Sequence, residues 1–163
     1  MRIIGIDPGL NATGFGVIER NKSGSKLITA GVIRTSSKDL IQDRLSKIYS
    51  GIDGIIREQK PQILVLEEVF SHYKHPSTAI CLGYARGIIC LVSGQAGIPI
   101  KSYAAKRVKK AITGRGDAQK HQVQRMVQHL LNIKEEKMPF DLSDALALAL
   151  AYTYLDKIES GRK

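Results

Sequence analysis

The chain contains no tryptophan, and its aromatic content is only 6%, from six tyrosines and three phenylalanines. A groove that grips single strands by stacking successive bases is therefore disfavoured. Cysteine is scarce as well, with Cys81 and Cys90 the two present. They fall nine residues apart in a stretch that reads as helix, about 13 Å along the axis, too far for a disulfide. No CxxC pair or paired histidine accompanies them, so a thiolate metal site is not expected. No apolar run reaches the roughly 18 residues that a membrane span needs. The N-terminus lacks the long apolar core and small-residue cleavage site of a signal peptide. These absences point to a reduced, cytoplasmic protein with no membrane partner.

Acidic residues are also in short supply. The 163 residues include 15 Asp+Glu against 25 Lys+Arg, a formal net charge of +10. The excess is concentrated: residues 101–137 hold ten Lys/Arg and three Asp/Glu. Such a stretch is either a solvated basic face or a surface for a polyanion, where clustered Lys/Arg neutralise phosphates and release counterions. The hydrophobic content of 43% and the chain length suit one domain with a real core. The expected domain is 1–156, followed by a short polar tail, 157–163.

Residues 2–7, 14–20 and 26–35 read as strands separated by Pro8-Gly9 and by Asn21-Lys22-Ser23-Gly24-Ser25, an antiparallel meander. Ile41, Leu45, Ile48, Ile52, Ile55 and Ile56 recur at helical spacing, and Pro61 stops that helix. Residues 62–69 form a fourth strand. A second helix starts at His75-Pro76-Ser77, carries Gly83 and Gly87, and ends at Gly94–Gly97. Those two glycines permit close helix packing, at a subunit interface or within the chain. Residues 98–100 give a short fifth strand, and helices follow over about 103–112, 118–131 and 140–156. The order predicts an α/β fold: a five-stranded mixed sheet, three antiparallel strands then parallel ones, flanked by helices.

Carboxylates break the apolar pattern in three places. Asp7 ends the first strand, Glu67 and Glu68 end the fourth, and Asp141 and Asp144 open the last helix. Each has a plain structural explanation: Asp7 as a turn residue, a glutamate as a satisfied strand-end charge, the last pair as helix N-terminal acids. If the first and fourth strands lie side by side and parallel, however, their acids emerge at one sheet edge, where open α/β sheets place ligands. Asp141 and Asp144, at i and i+3, share a helix face. Carboxylates gathered there need cations, and oxygen-only donors select Mg²⁺ or Mn²⁺. Two such ions about 3.5–4 Å apart suit in-line displacement at phosphorus. A basic protein with such a site reads as a metal-dependent nuclease. Successive strand residues point to opposite faces, so Glu67 and Glu68 cannot share the role, and alternation alone does not choose between them.

The blocks IIGIDPGLNATGFGVIE, LVLEEVFSHYKHPSTAICLGYARGI, YAAKRVKKAITGRGDAQKHQVQRMV and DLSDALALALAY resemble, in order, those of the bacterial RuvC family of Holliday junction resolvases. The resemblance runs from residue 1 to about 153. It implies a ribonuclease-H-like fold and a homodimer that makes paired nicks across four-way junction DNA. It also implies Mg²⁺ or Mn²⁺, two per active site, and products with a 5′-phosphate and a 3′-hydroxyl. By position it assigns Asp7, Glu67, Asp141 and Asp144 as catalytic metal ligands, and leaves Glu68 facing away. It places Phe70 at the opened junction and Lys109 and Lys120 in catalysis or DNA contact. A branch-migration helicase complex is the implied partner. Cys81 departs from the pattern, standing where a lysine is expected. Competing readings are an inert junction-binding module, another ribonuclease-H-fold nuclease acting on RNA, and an actin-like phosphotransferase, for which 163 residues leave no second domain.

Overall fold

The structure, a computed structural model, describes residues 1–68, 76–134 and 137–160, the side chains of 76–78 and 157–160 excepted. Its elements are β1 (Arg2–Asp7), β2 (Ala12–Asn21), β3 (Gly24–Arg34), α1 (Ile41–Gln59), β4 (Ile63–Glu67), α2 (Pro76–Gln95), β5 (Ile100–Tyr103), α3 (Ala105–Thr113), α4 (Lys120–Leu130) and α5 (Phe140–Ser160). The five strands form one sheet in the order β3-β2-β1-β4-β5. The β1–β2 and β2–β3 pairs are antiparallel, while β4 runs parallel to β1 and β5 parallel to β4.

Both faces of the sheet are covered, as central parallel strands require. On one face Ile4, Ile6, Leu64 and Leu66 pack against Ile48, Ile52 and Ile56 of α1 and Ala85, Ile89 and Val92 of α2. On the other, Ile3, Ile18 and Val65 meet Val108, Val123, Leu146 and Leu150 of α3, α4 and α5. The alternation of Ile3 with Ile4, and of Leu64 with Val65, is the strand period of two made visible. Each fully buried isoleucine or leucine contributes on the order of 1.5–3 kcal/mol.

Helix α5 lies across the middle of the sheet, packed on β1, β2, β3 and β4. It comes unusually close because the strands beneath it present glycine. A Cβ on Gly5 would stand 2.0 Å from the carbonyl oxygen of Ala145, and one on Gly16 would meet the Leu146 side chain. The alternating Ala-Leu run of α5 supplies small residues to the same contact, with Ala145, Ala147, Ala149 and Ala151 all buried.

Two boundaries differ from the sequence expectation in ways that have physical causes. The fifth strand begins at Ile100, not Ile98. Pro99 has no N–H for a ladder, and its carbonyl instead accepts from the Leu64 amide at 3.0 Å, so regular pairing starts one residue later, with Leu64 opposite Ile100. Helix α5 continues to Ser160, into the stretch assigned to a polar tail; nothing in Asp156–Ser160 breaks a helix. Among the described residues, a Cβ at Gly83 or Gly87 would meet nothing within 4 Å, so neither serves a close packing contact with them. Among the described residues, no helix is long and apolar enough to cross a membrane.

Candidate active site

The parallel pairing of β1 with β4 sets Ile6 beside Leu66, so Asp7 and Glu67 leave adjacent strands at the same edge. Which glutamate joins Asp7 follows from the two cores. Val65 packs toward α5 and Leu66 toward α1 and α2, so by alternation Glu67 is on the α5 face; Glu68 follows the last residue of β4 and also lines the cleft. Gly5, two residues before Asp7, touches α5 directly, so Asp7 also belongs to the α5 face.

Asp7, Glu67, Glu68 and Asp144 line one cleft of about 330 Å³, together with Lys109 and Lys120. Asp141 lines the adjoining groove, yet it is close enough to raise the pKa of both Asp7 and Asp144. The four acids thus converge, with Asp141 on the flank. Burial and repulsion within the cluster raise Asp7, Glu67 and Asp144. Burial, followed by Asp144, Asp141 and Glu67, pushes the Asp7 carboxyl up to about 7, with Lys120 opposing. Glu67 is raised by desolvation and by Asp144. Asp144 is raised chiefly by burial, against the pull of Lys120. Partly desolvated carboxylates that raise one another are the arrangement expected where a cation is to be held.

Lys120 reaches this cluster, with Nζ 3.7 Å from Asp144 Oδ2. It occupies the first position of α4, whose first turn is closed by the Gln119 amide donating to the Gln122 side-chain oxygen at 2.8 Å. Lys109, on α3, lowers the pKa of Glu67 and Asp144 through space. Among the described residues, no three His, Cys, Asp or Glu side chains already enclose a metal position. The donor set still fits a hard divalent ion: the ligands are carboxylate oxygens, and a cation relieves the repulsion that raises them. Phe70 lies outside the described residues. Cys81 and Cys90 are free and exposed.

Two further residues carry no local sequence signal. Arg86 of α2 lines the cleft and donates to the Glu67 carbonyl at 2.6 Å and to Ser102 Oγ at 3.2 Å. It ties the end of β4 to β5 and so fixes the strand end that carries Glu67. Phe140, just before Asp141, is 48% exposed with Lys120 Nζ 5.9 Å from its ring centre.

Comparison with known proteins decides the family. The family model for "Crossover junction endodeoxyribonuclease RuvC" matches residues 3–152. The chain belongs to the RuvC family. A RuvC from Rhodopirellula baltica is 43% identical over 153 residues, covering 94% of this chain and 86% of the relative. A RuvC from Ehrlichia ruminantium strain Welgevonden is 43% identical over 157 residues, covering 94% and 97%. The solved structure of T. thermophilus RuvC in complex with Holliday junction substrate superposes with a TM-score of 0.91 at 30% identity, covering 98% of this chain and 97% of that one. The mixed sheet with α5 across it is therefore the ribonuclease-H-like RuvC arrangement, and the acids stand at its parallel edge.

Proposed function

We propose that this RuvC-family chain is an endonuclease that resolves four-way DNA junctions by paired nicks, as a homodimer dependent on divalent metal. The observation that carries this reading is the convergence of Asp7, Glu67 and Asp144 in one cleft with Lys109 and Lys120. In it, Asp7, Glu67, Asp141 and Asp144 hold Mg²⁺ or Mn²⁺, two ions per site. When bound, such ions supply activation of water and neutralisation of charge on the phosphate. Lys120, beside Asp144, balances charge at the scissile phosphate, and Lys109 holds backbone phosphate next to it. Arg86 keeps the Glu67 strand end in place. The products are a 5′-phosphate and a 3′-hydroxyl.

The exposed face of α2 supports the homodimer. Ile80, Tyr84 and Leu91 are 55%, 48% and 50% exposed, and Gly83, Gly87 and Gly94 between them leave open space. An apolar, small-residue helix side is suited to close approach by a second copy, and two-fold symmetry suits two symmetric cuts. A branch-migration helicase complex is the second partner in this reading, on family resemblance.

The test is a labelled synthetic four-way junction incubated with the protein in Mg²⁺, Mn²⁺ or EDTA. Paired symmetric nicks that need metal are the expected result. A junction bound but never cut in either metal would make the chain an inert binding module. Cutting of an RNA–DNA hybrid in preference to the junction would place it with other ribonuclease-H-fold nucleases.

A further inference from the structure

The acids have a second groove beside them. It has a volume of about 550 Å³ and runs between the Pro8–Ala12 loop and α2, with Asp141 at its inner end. Pro8 and Leu82 line both this groove and the acidic cleft, so the two are continuous across the acids. Lys109 and Lys120 stand on the cleft side. On the groove side the cation among the described lining residues is Arg44, and Cys81 on α2 contributes no charge.

Arg44 is half-buried and held in direction. Its Nε donates to Thr35 Oγ1 at 3.0 Å, and its Nη2 donates to Asn11 Oδ1. Those partners are themselves fixed to the loop: the Thr35 amide donates to the Asn11 carbonyl at 3.0 Å, and Thr35 Oγ1 donates to the Leu10 carbonyl. Both partners of the guanidinium are neutral. Two of its five N–H donors are used, and among the described residues no carboxylate forms an ion pair with it. A fixed, partly desolvated guanidinium without a counter-charge is costly unless an anion completes it. The planar fork matches phosphate oxygens.

We infer that Arg44, aimed by Asn11 and Thr35, binds a backbone phosphate of the strand being cut, on the opposite side of the acids from Lys109 and Lys120. The inference rests on the junction-nuclease reading. One strand crossing the acids is then gripped at both flanks, which fixes which phosphate lies over Asp7.

The test is junction binding in EDTA, by fluorescence anisotropy over a series of KCl concentrations. Arg44→Gln is expected to weaken binding about tenfold at low salt and to reduce the slope of log affinity against log salt by about one. Thr35→Val loosens the loop without removing charge and is expected to keep the wild-type slope. In the Arg44→Gln background, Cys81→Lys returns a cation to the same groove and is expected to recover the slope. Ser23→Lys, at the exposed β2–β3 turn on the far end of the sheet, is not. Wild-type affinity and slope in Arg44→Gln would overturn the inference, whatever its melting temperature. Equal rescue by Cys81→Lys and Ser23→Lys would also overturn it, by showing that only net charge matters. Failure of the wild-type protein to bind junctions is a separate outcome, which removes the nuclease reading and this inference together.

Discussion

Gly14 lies directly beneath the backbone of Asp141: a Cβ on Gly14 would stand 1.9 Å from the Asp141 carbonyl oxygen. Gly14 is also the ladder partner of Asp7. One glycine therefore sets the separation between the first-strand acid and the acids of α5. Gly14→Ala must push α5 off the sheet, because the obstructing atom is backbone. The expected cost is about 1–3 kcal/mol of stability, with a loss of junction cleavage larger than the loss of fold. Gly54→Ala on α1, where a Cβ meets nothing within 4 Å, is expected to gain about 0.5–1 kcal/mol. Thermal melting of the two variants checks both signs.

Glu67 and Glu68 both line the cleft, but Glu67 is the one of the two whose charge acts on Asp7. Glu67→Gln is expected to lower junction cleavage in Mg²⁺ on the order of 100-fold or more, while leaving junction binding in EDTA intact. Glu68→Gln is expected to cleave close to the wild-type rate. Single-turnover cleavage of a labelled junction measures both, and equal losses would contradict this division of roles.

Asp7, pushed up to about 7 in the folded protein, holds its proton more tightly than in the unfolded chain, where aspartate titrates near ~3.9. A raised folded pKa gives stability that is complete below about pH 4 and lost as pH rises through about 7. Glu67 and Asp144, raised as well, contribute with the same sign. In EDTA, melting temperature should fall across this window. Asp7→Asn should flatten the fall and exceed wild type near about pH 8 by about 1–2 kcal/mol, after allowance for solvent screening. Mg²⁺ should reverse the order by stabilising the ionised wild-type site. Calorimetry with and without Mg²⁺ measures this, and a wild type more stable than Asp7→Asn in EDTA at the alkaline end would refute it.

The α2 face predicts a separable assembly defect. Gly87→Arg places a long charged side chain where a Cβ meets nothing within 4 Å among the described residues. The expected product is a folded monomer with wild-type melting of the monomeric unit, junction nicks that are no longer paired, and a halved mass by sedimentation. An unchanged mass would count against a dimer contact on this face of α2.

Much of this was legible in the chain. Apolar alternation and helical spacing gave the order of the elements. Strand ends gave Asp7 and the Glu67–Glu68 pair, and i, i+3 spacing gave Asp141 with Asp144. The choice between Glu67 and Glu68 was not readable from alternation, because it depends on which face α5 occupies, and that is decided by Gly5, Gly14 and Gly16. Arg86 and Arg44 were not readable either. Each is one basic residue on a helix, and its significance lies in partners such as Ser102 and Asn11 that only the fold brings near. The start of β5 was misplaced because Pro99 keeps an apolar neighbourhood while withholding its hydrogen-bond donor.

Helix α5 brings Asp141 and Asp144 to the sheet after all five strands and both basic helices have been synthesised. A chain that ends after α4 carries Lys109 and Lys120 without Asp141 and Asp144. It lacks half of the acids and the slab that presses them toward Asp7. Domains fold as units during synthesis, so cutting ability arrives with the closing of the fold and not before it. The position of α5 along the polypeptide thus makes completion of the acid cluster the last step of assembly.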